Sequence, residues 1–200
     1  MHYAISFQTE QHDFLLCTPR RKSLKHKLLC VKQGLVIVKL GKQEYAIEPN
    51  QLFWLPFDTL TSLTYTPNTQ VEVVELSSRV TTPLPKQAGF VKANELVSAL
   101  LNRLTSIETL TEQQKELLAV LRHELIDLKP NLHESKLTKD LSQWRFDKPS
   151  PIANELQLVL RVREAVKMMQ SGKKRPIVVN TLFEGNETLF SGLEKAIIGH

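Results

Sequence analysis

The residue types that could do chemistry in this sequence fall into two groups, one towards each end of the chain. In the amino-terminal half, His26, Tyr45 and Trp54 could line a small-molecule pocket, because aromatic faces and a single polar group commonly do so. The same aromatic residues could instead simply fill a hydrophobic core. Towards the carboxyl end, the polar and basic residues that could contact a nucleic acid are Lys173, Lys174, Arg175, Asn186, Thr188 and Ser191.

The cysteines and the net charge limit the kinds of functional site that the sequence can form. Cys17 and Cys30 lie on predicted strands without CxxC spacing, which indicates reduced core residues rather than a disulfide or a metal site. The net charge is +5, with both ends basic and the middle close to neutral. Such a balance is compatible with contact to nucleic acid, although many soluble proteins are as basic. A basic run between strands is either a solvated loop or a contact for an anionic partner: Arg20, Arg21, Lys22, Lys25 and Lys27.

The hydropathy pattern indicates in which compartment of the cell we expect the protein. No apolar run approaches the roughly 20 residues needed to cross a bilayer. The first residues lack the basic start and apolar stretch that mark a signal peptide. Hydrophobic residues make up 42% of the chain and charged residues 24%, a balance typical of a soluble globular protein with one or two domains. We therefore expect a cytoplasmic protein without a membrane partner.

The elements that would position the first group are short strands. Between residues 26 and 80, apolar runs alternate with turn signals about every eight to twelve residues, which predicts an antiparallel sandwich or barrel. From about Gly89 onward the pattern is almost entirely helical. The predicted turns between strands are at Gly34, Gly41-Lys42, Pro49-Asn50 and Pro67-Asn68.

Two predicted helices follow a proline-containing linker at residues 83–85. The first covers residues 93–105, and the second begins with Thr111 as its cap and ends before Pro130. Wide leucine stripes of this kind can cover the barrel and can also pack across a two-fold axis. The candidates for a dimer interface are Leu100, Leu104, Leu117, Leu121 and Leu125, with purely intramolecular packing as the alternative.

The remaining chain predicts a linker and a small helical domain. Residues 130–152 are polar and broken by prolines, and we expect their aromatic residues, Trp144 and Phe146, to dock on a folded domain. A long helix over residues 152–170, a short helix over residues 177–183 and a last helix over residues 187–198 follow. The short and last helices, joined by a turn that contains Gly185, form the outline of a helix-turn-helix.

The strand region carries a resemblance to a known fold. Its pattern is similar to the cupin barrel in the version found at the front of AraC/XylS-type transcription regulators, and the matching residues are Gly34, Gly41, Glu48-Pro49-Asn50 and Trp54-Leu55-Pro56. Asn50 stands where that pattern has Gly, which is a mild change because Asn tolerates a left-handed backbone. The resemblance implies a β-barrel that serves as a sensor domain.

The resemblance also allows a prediction of whether the barrel binds a metal ion. Metal-binding cupins need an HxH pair, a Glu and a further His, because several imidazoles and a carboxylate must converge on one cation. This chain has no HxH pair, His26 stands alone, and the resemblance places Thr61 where the last His would lie. We therefore expect no metal and no cofactor, and a metal-dependent enzyme is the weakest hypothesis. Thr61 joins the candidates for a metal-free ligand pocket.

The end of the chain resembles the DNA-binding region of the same regulators, at Arg163, Ala165, Met168-Met169, Ser171-Gly172-Lys173, Phe190-Ser191 and Gly199. The family carries two helix-turn-helix units, and only one fits between Pro151 and His200. The resemblance implies that Lys173, Lys174 and Arg175 contact phosphates. It also implies base contacts at the start of the last helix, from Asn186, Thr188 and Ser191. The alternative is a helical packing domain with a solvated basic turn.

As a whole, the sequence predicts an α+β chain. The expected parts are a cupin-like antiparallel β-barrel at residues 1–85, a helical dimerisation section at 86–130, a linker at 131–151 and a degenerate helix-turn-helix-like domain at 152–200. The leading hypothesis is an AraC-like regulator that binds DNA as a homodimer and whose head receives a small-molecule effector or a protein partner. The alternative is a dimeric interaction module that has lost DNA binding and modulates a related regulator or another protein. We expect no catalytic activity.

Overall fold

Two antiparallel sheets form the amino-terminal part of the computed structural model, which describes residues 4–107 and 112–199. Their strands are β1 (Ile5–His12), β2 (Leu16–Cys17), β3 (Arg21–Lys22), β4 (Lys25–Gln33), β5 (Val36–Leu40), β6 (Gln43–Ile47), β7 (Leu52–Leu55), β8 (Leu60–Tyr65), β9 (Thr69–Ser77) and β10 (Gly89–Val91). Sheet A has the order β1-β9-β4-β7-β10. Sheet B has the order β2-β8-β5-β6, and β3 also pairs with β8.

The two sheets enclose an apolar interior. Side chains alternate between the faces of a strand, so every second residue of β4, β7 and β9 points inwards. The buried residues that pack between the sheets are Leu29, Val31, Val36, Val38, Ile47, Phe53, Leu55, Leu63, Tyr65, Val71, Val73 and Phe90. The predicted cupin-like barrel is therefore an antiparallel two-sheet fold with its core between the sheets. Its last strand, β10, pairs with β7 and lies beyond the predicted boundary at residue 85.

The turns between these strands follow local backbone chemistry. Gly34 and Gly41 have positive φ, as do Asn50 and Asn68, so the four predicted turns are confirmed. Gly34 also lies where no side chain fits, because an added Cβ would stand 2.4 Å from Oγ1 of Thr69. This close approach joins the β4–β5 turn to the start of β9.

The helices follow the strands in the chain. They are α1 (Glu95–Thr105), α2 (Glu112–Glu124), α3 (Lys136–Gln143), α4 (Asn154–Gln170), α5 (Arg175–Phe183) and α6 (Glu187–Ile198), with a 3-10 turn at Leu125–Asp127 after α2. The predicted cap of the second helix, Thr111, lies outside the described residues. No described helix has both the length and the apolar character needed to cross a membrane.

The outer face of sheet A is covered by α1 and α2. Leu28, Trp54 and Val74 point out of the barrel and pack with the leucines of both helices. All five predicted dimer-interface leucines belong to this intramolecular layer. Leu100, Leu104, Leu121 and Leu125 are at most 6% exposed, and Leu117 packs against them partly buried. The alternative of intramolecular packing is therefore the correct one for these residues.

The segment predicted as a linker, residues 131–151, is instead part of the folded structure. It contains α3, whose Ser135 cap accepts a hydrogen bond from the amide of Thr138 at 3.1 Å. Thr138 is fully buried, and its hydroxyl accepts a hydrogen bond from the amide of Ala46 on β6 at 3.1 Å. Trp144 docks in the apolar cluster on the outer face of sheet B, as expected, whereas Phe146 is exposed.

The carboxyl-terminal helices pack on the barrel. Leu160 of α4 lies in the same cluster as Ile37 and Ala46 of sheet B. Leu15, in the loop between β1 and β2, packs against the core of α4, α5 and α6, and its amide donates to the carbonyl of Ile197 at 2.7 Å. The small helical domain predicted at residues 152–200 is therefore joined to the β head by direct contacts.

Candidate ligand cavity and helix-turn-helix surface

The four predicted pocket residues do not meet in one site. Trp54 is fully buried on the outer face of sheet A, where its indole donates a hydrogen bond to the carbonyl of Pro85 at 2.9 Å. The ring of His26 stacks on it, with 5.6 Å between centroids. The Nδ1 atom of His26 accepts a hydrogen bond from the amide of Phe57, and burial lowers the pKa of His26. Both residues therefore stabilise the layer between sheet A and the helices.

The other two candidates belong to the barrel interior. The ring of Tyr45 packs against Phe53, with 6.4 Å between their centroids, and Tyr45 is partly buried against the inner core. Thr61 is 8% exposed and lines a cavity at one end of the barrel. The core-filling alternative therefore describes Trp54 and Tyr45, and Thr61 alone among the four lines this cavity.

The cavity at this end, which we call the barrel-mouth cavity, has a volume of about 340 Å³. Its wall contains polar residues that the sequence analysis did not select as pocket candidates. The ring of Tyr65 lies 4.1 Å from that of His12 between centroids, and the carboxylate of Glu75 pairs with Lys25 at 2.6 Å and Lys27 at 2.7 Å. Strand alternation could have indicated Lys25 and Lys27, since they share the inward face of β4 with Leu29 and Val31.

The charges of the barrel-mouth cavity are predominantly positive. Four cationic side chains and two carboxylates line it: Arg21, Lys22, Lys25, Lys27, Glu10 and Glu75. Burial raises the pKa of Glu75, but hydrogen bonds from the two lysines outweigh this effect, so the net pKa is lowered. Burial, with the nearby carboxylates of Glu10 and Glu75, raises the pKa of Tyr65, whose hydroxyl is therefore neutral near pH 7. Among the described residues, no group of three or more His, Cys, Asp or Glu side chains could hold a metal ion.

The helix-turn-helix outline is formed by α5, a three-residue turn and α6. Glu184 and Gly185 both have positive φ, which reverses the chain between the helices. Phe190 is fully buried between the helices, and its ring centroid lies 4.8 Å from that of Phe183. The predicted helix boundaries at residues 183 and 187 are confirmed.

Three of the six predicted DNA-contacting residues make contacts inside this unit. Arg175 pairs with Glu187 at 2.7 Å and with Glu194 at 2.8 Å, and its guanidinium lies 4.5 Å from the ring centroid of Phe190. The hydroxyl of Ser191 accepts a hydrogen bond from Arg175 at 3.2 Å. The side chain of Asn186 caps α6 by accepting from the amide of Leu189 at 2.9 Å. Arg175 and Ser191 therefore hold α5 against α6, and Asn186 fixes the start of α6, while their contact with DNA stays a prediction.

The other three predicted residues remain accessible. Lys173 and Lys174 are exposed at the start of α5, and Thr188 is exposed in the first turn of α6. Thr188, Gly192 and Lys195 follow one another at helical spacing, all are exposed, and an added Cβ at Gly192 would meet no other atom. This stripe is the accessible polar face of α6. The spacing could have indicated Lys195, which the sequence analysis did not select.

Comparisons with known proteins give likenesses at low identity. Solved structures that resemble the chain include an apo ToxT variant from Vibrio cholerae, with 12% identity over 100% of this chain and 95% of that chain at a TM-score of 0.46. A second ToxT structure matches 98% of this chain and 95% of that chain, with 12% identity and a TM-score of 0.42. A cupin-superfamily protein from Desulfitobacterium hafniense matches 39% of this chain and 72% of that chain, with 9% identity and a TM-score of 0.36.

No protein-family model matches the sequence, and no curated protein matches it. All three TM-scores lie below 0.5.

Proposed function

We propose that the chain is an AraC-like transcription regulator, in which the β head receives an effector and the α5–α6 unit contacts DNA. The observation that carries this proposal is the position of the basic turn. Arg175 ties the start of α5 to the first turns of α6 through Glu187 and Ser191. Lys173 and Lys174 directly precede Arg175 and are exposed, so we place them beside the accessible face of α6, where they can reach phosphates.

The proposed DNA contacts are of two kinds: phosphate contacts, which position the protein, and base contacts, which read the sequence. Lys173 and Lys174 neutralise phosphates, a sequence-independent contribution that falls steeply as salt rises. Thr188 and Lys195 face the groove from α6, and Gly192 between them lets the helix approach the base edges closely. The barrel-mouth cavity is the place for a small-molecule effector, since its wall combines buried aromatic groups with charged and hydroxyl side chains.

A dimer supplies the second reading helix that a single chain lacks. Because the five predicted leucines are buried inside one chain, a homodimer uses other residues. The outer face of α1 and α2 exposes Leu96 and Val120, each close to half exposed. The hydrogen bond between Asn94 and Glu124 at 3.0 Å shows that these parts of the two helices are neighbours. We propose this face for the contact between copies.

The test is retention of a genomic DNA pool by the full chain at low and at moderate salt. Changing Lys173 and Lys174 together to Gln is expected to weaken retention about tenfold or more at low salt, because two phosphate contacts are lost. Lys92→Gln is the matched control, since Lys92 is exposed before α1, far from α5 in the chain. Equal loss in the control and the double variant would refute the proposed surface.

The alternative function is an interaction module that has lost DNA binding, and one observation favours it. The only arginine among the predicted phosphate contacts is neutralised by two glutamates, and Glu184 adds an exposed carboxylate in the turn. Under this alternative the chain modulates a related regulator or another protein through its surface. Absence of DNA retention even at about 50 mM salt would favour the module over the regulator.

Both proposals place the protein in the cytoplasm, without a catalytic role and without a metal. Neither needs a bond to be made or broken, because the head and the helical unit act through binding. The amount of metal in the purified protein, measured by elemental analysis, tests this part. A stoichiometric metal would overturn it and reopen the enzyme hypothesis.

A further inference from the structure

A groove of about 500 Å³ lies between the segment that follows β9 and the carboxyl-terminal half of α2. It borders the α1–α2 side of the molecule, whereas α4 packs on the outer face of sheet B. The groove is therefore separate from the barrel-mouth cavity and from the α5–α6 unit. The polar side chains that line it are Ser77, Arg79, Thr81, Thr82, Arg122 and His123.

The charge of this groove is not balanced. Two arginines and a histidine line it, and no carboxylate is among the lining residues. Basic side chains without a nearby carboxylate leave a net positive charge that favours an anionic partner. A site with three basic groups, three hydroxyls and no acid has the composition of an anion site.

Arg122 provides the most specific observation. Its Nε atom is buried and has no hydrogen-bond partner among the described residues, a state shared with Arg161 and Arg163. Those two arginines are anchored through other guanidinium atoms, since Arg161 donates to the carbonyl of Phe146 and Arg163 pairs with Glu44. Arg122 makes no hydrogen bond or ion pair with any described side chain or carbonyl outside its helix. The rest of its guanidinium lines the groove, where its N–H groups can donate to a group outside the chain.

Arg79 reaches the groove from the other side. The chain turns just after β9, where the amide of Arg79 donates to the hydroxyl of Ser77 at 3.2 Å and the amide of Val80 donates to the carbonyl of Ser77 at 3.2 Å. The guanidinium of Arg79 has no ion pair among the described residues. Arg79 and Arg122 thus line the same groove from two different elements, each without a competing carboxylate.

We propose that this groove binds a small molecule that carries a phosphoryl group. Guanidinium groups donate in a planar fork that matches phosphate oxygens, and phosphate offers three acceptors for the arginines, the imidazole and the hydroxyls. The volume of the groove lies within the range of small-molecule sites and is larger than a single ion requires. Val80, Pro83 and Ile126 supply the apolar wall for the remainder of the ligand.

Occupancy of the groove links two parts of the fold. The ligand would bridge the segment after β9 to α2, which are otherwise joined through the apolar layer on sheet A. Binding to the native state raises the midpoint of thermal unfolding in proportion to the logarithm of ligand concentration. The proposal does not depend on DNA binding, and its test uses the chain without DNA.

The experiment measures binding of inorganic pyrophosphate to the full chain by calorimetry and by thermal unfolding, at constant ionic strength. The wild-type chain is expected to bind and to unfold at a higher temperature. Arg79→Gln and Arg122→Gln are each expected to weaken binding about tenfold, the effect of losing one charge-assisted hydrogen bond. Arg122→Lys, which keeps the charge and loses the fork, is expected to fall between them and the wild type.

Arg145→Gln is the matched control, because Arg145 is exposed and its side chain makes no ion pair among the described residues. It is expected to bind pyrophosphate as the wild type does. The proposal is overturned if the wild type shows neither heat nor a thermal shift up to about 10 mM. It is equally overturned if Arg145→Gln loses as much affinity as Arg79→Gln, since binding would then be diffuse. Arg79 is exposed, so its variant tests the site even where Arg122→Gln disturbs folding.

Discussion

The two outer faces of the β head are covered in different ways. Sheet A lies under α1 and α2, and the contact is a broad apolar layer centred on Trp54 and the leucines of both helices. Sheet B lies under α3 and α4, where a smaller apolar cluster is supplemented by polar contacts. These include the ion pair of Arg163 with Glu44 at 2.9 Å and the hydrogen bond of Gln43 with Ser142 at 2.6 Å.

The difference suggests separate roles for the two covers. Separating an apolar layer exposes its surface to water and costs free energy in proportion to the exposed area. The cover of sheet A should therefore separate only when the head unfolds. Polar contacts can exchange with water, and they require a specific geometry. We therefore expect the cover of sheet B to be the joint at which the carboxyl-terminal helices can change position relative to the head. Under the proposed function, this is the joint that an effector would bias.

The largest expected effect comes from a cavity in the cover of sheet A. Leu121 is fully buried, and Leu121→Ala is expected to lower the free energy of unfolding by about 3 kcal/mol, because the transfer free energy and the cavity both contribute. Chemical denaturation measures this loss. Glu116→Ala, at an exposed position of the same helix, should change stability by less than about 0.5 kcal/mol. Equal effects of the two would contradict the described packing of α2.

A smaller and more local effect is expected from the cover of sheet B. Glu44→Gln leaves the buried guanidinium of Arg163 without its counter-ion and is expected to cost about 1–3 kcal/mol. Hydrogen exchange should become faster in α4, α5 and α6 while the amides of β4 and β9 keep their protection. Glu48→Gln is the control, since Glu48 follows the same strand and has no ion pair among the described residues. Uniform loss of protection in head and tail would show that the two covers separate together.

The smallest effect is a dependence on pH at the edge of the cover of sheet A. Burial lowers the pKa of His26 in the folded state, so the unfolded chain binds more protons as the pH falls below the ordinary value of about 6.5. The free energy of unfolding should therefore be highest above that pH and decrease below it. Protonation also removes the acceptor that Nδ1 offers to the amide of Phe57.

This dependence is measured by denaturation between about pH 5 and pH 8. The variant His26→Asn should flatten the curve in that range, because it keeps an acceptor and removes the titrating group. An unchanged slope in His26→Asn would show that another group is responsible.

The sequence predicted the strands and helices more successfully than the sites. Turn residues such as Gly34 and Asn50 act within a few positions, and their backbone requirements can be seen in the sequence. The sequence could not predict in the same way on which face of sheet A the side chain of Trp54 lies. Neighbouring Phe53 and Trp54 are both fully buried, because sheet A has an apolar layer on each side. Alternation separates the two faces of a strand, but it does not say which one is the interior.

The ion pairs of Arg175 could not be predicted for a related reason. Arg175 has the residue type and position that favour phosphate binding, but its partners lie 12 and 19 residues further along the chain. Their approach depends on how α5 packs against α6. The cap role of Asn186, by contrast, is local, and its position just before a predicted helix was a sufficient signal.

The sequence by itself determined the order of the elements, from an antiparallel β head with its turns to the helical tail and its short turn before the last helix. These features depend on backbone conformations and periodicities that a few neighbouring residues impose. Only the tertiary structure decided which side chains are free. It packed the five leucines inside one chain, joined the residues predicted as a linker to sheet B, and left the Nε atom of Arg122 without a hydrogen-bond partner among the described residues. Burial and charge pairing depend on residues far apart in the chain, and folding alone brings them together.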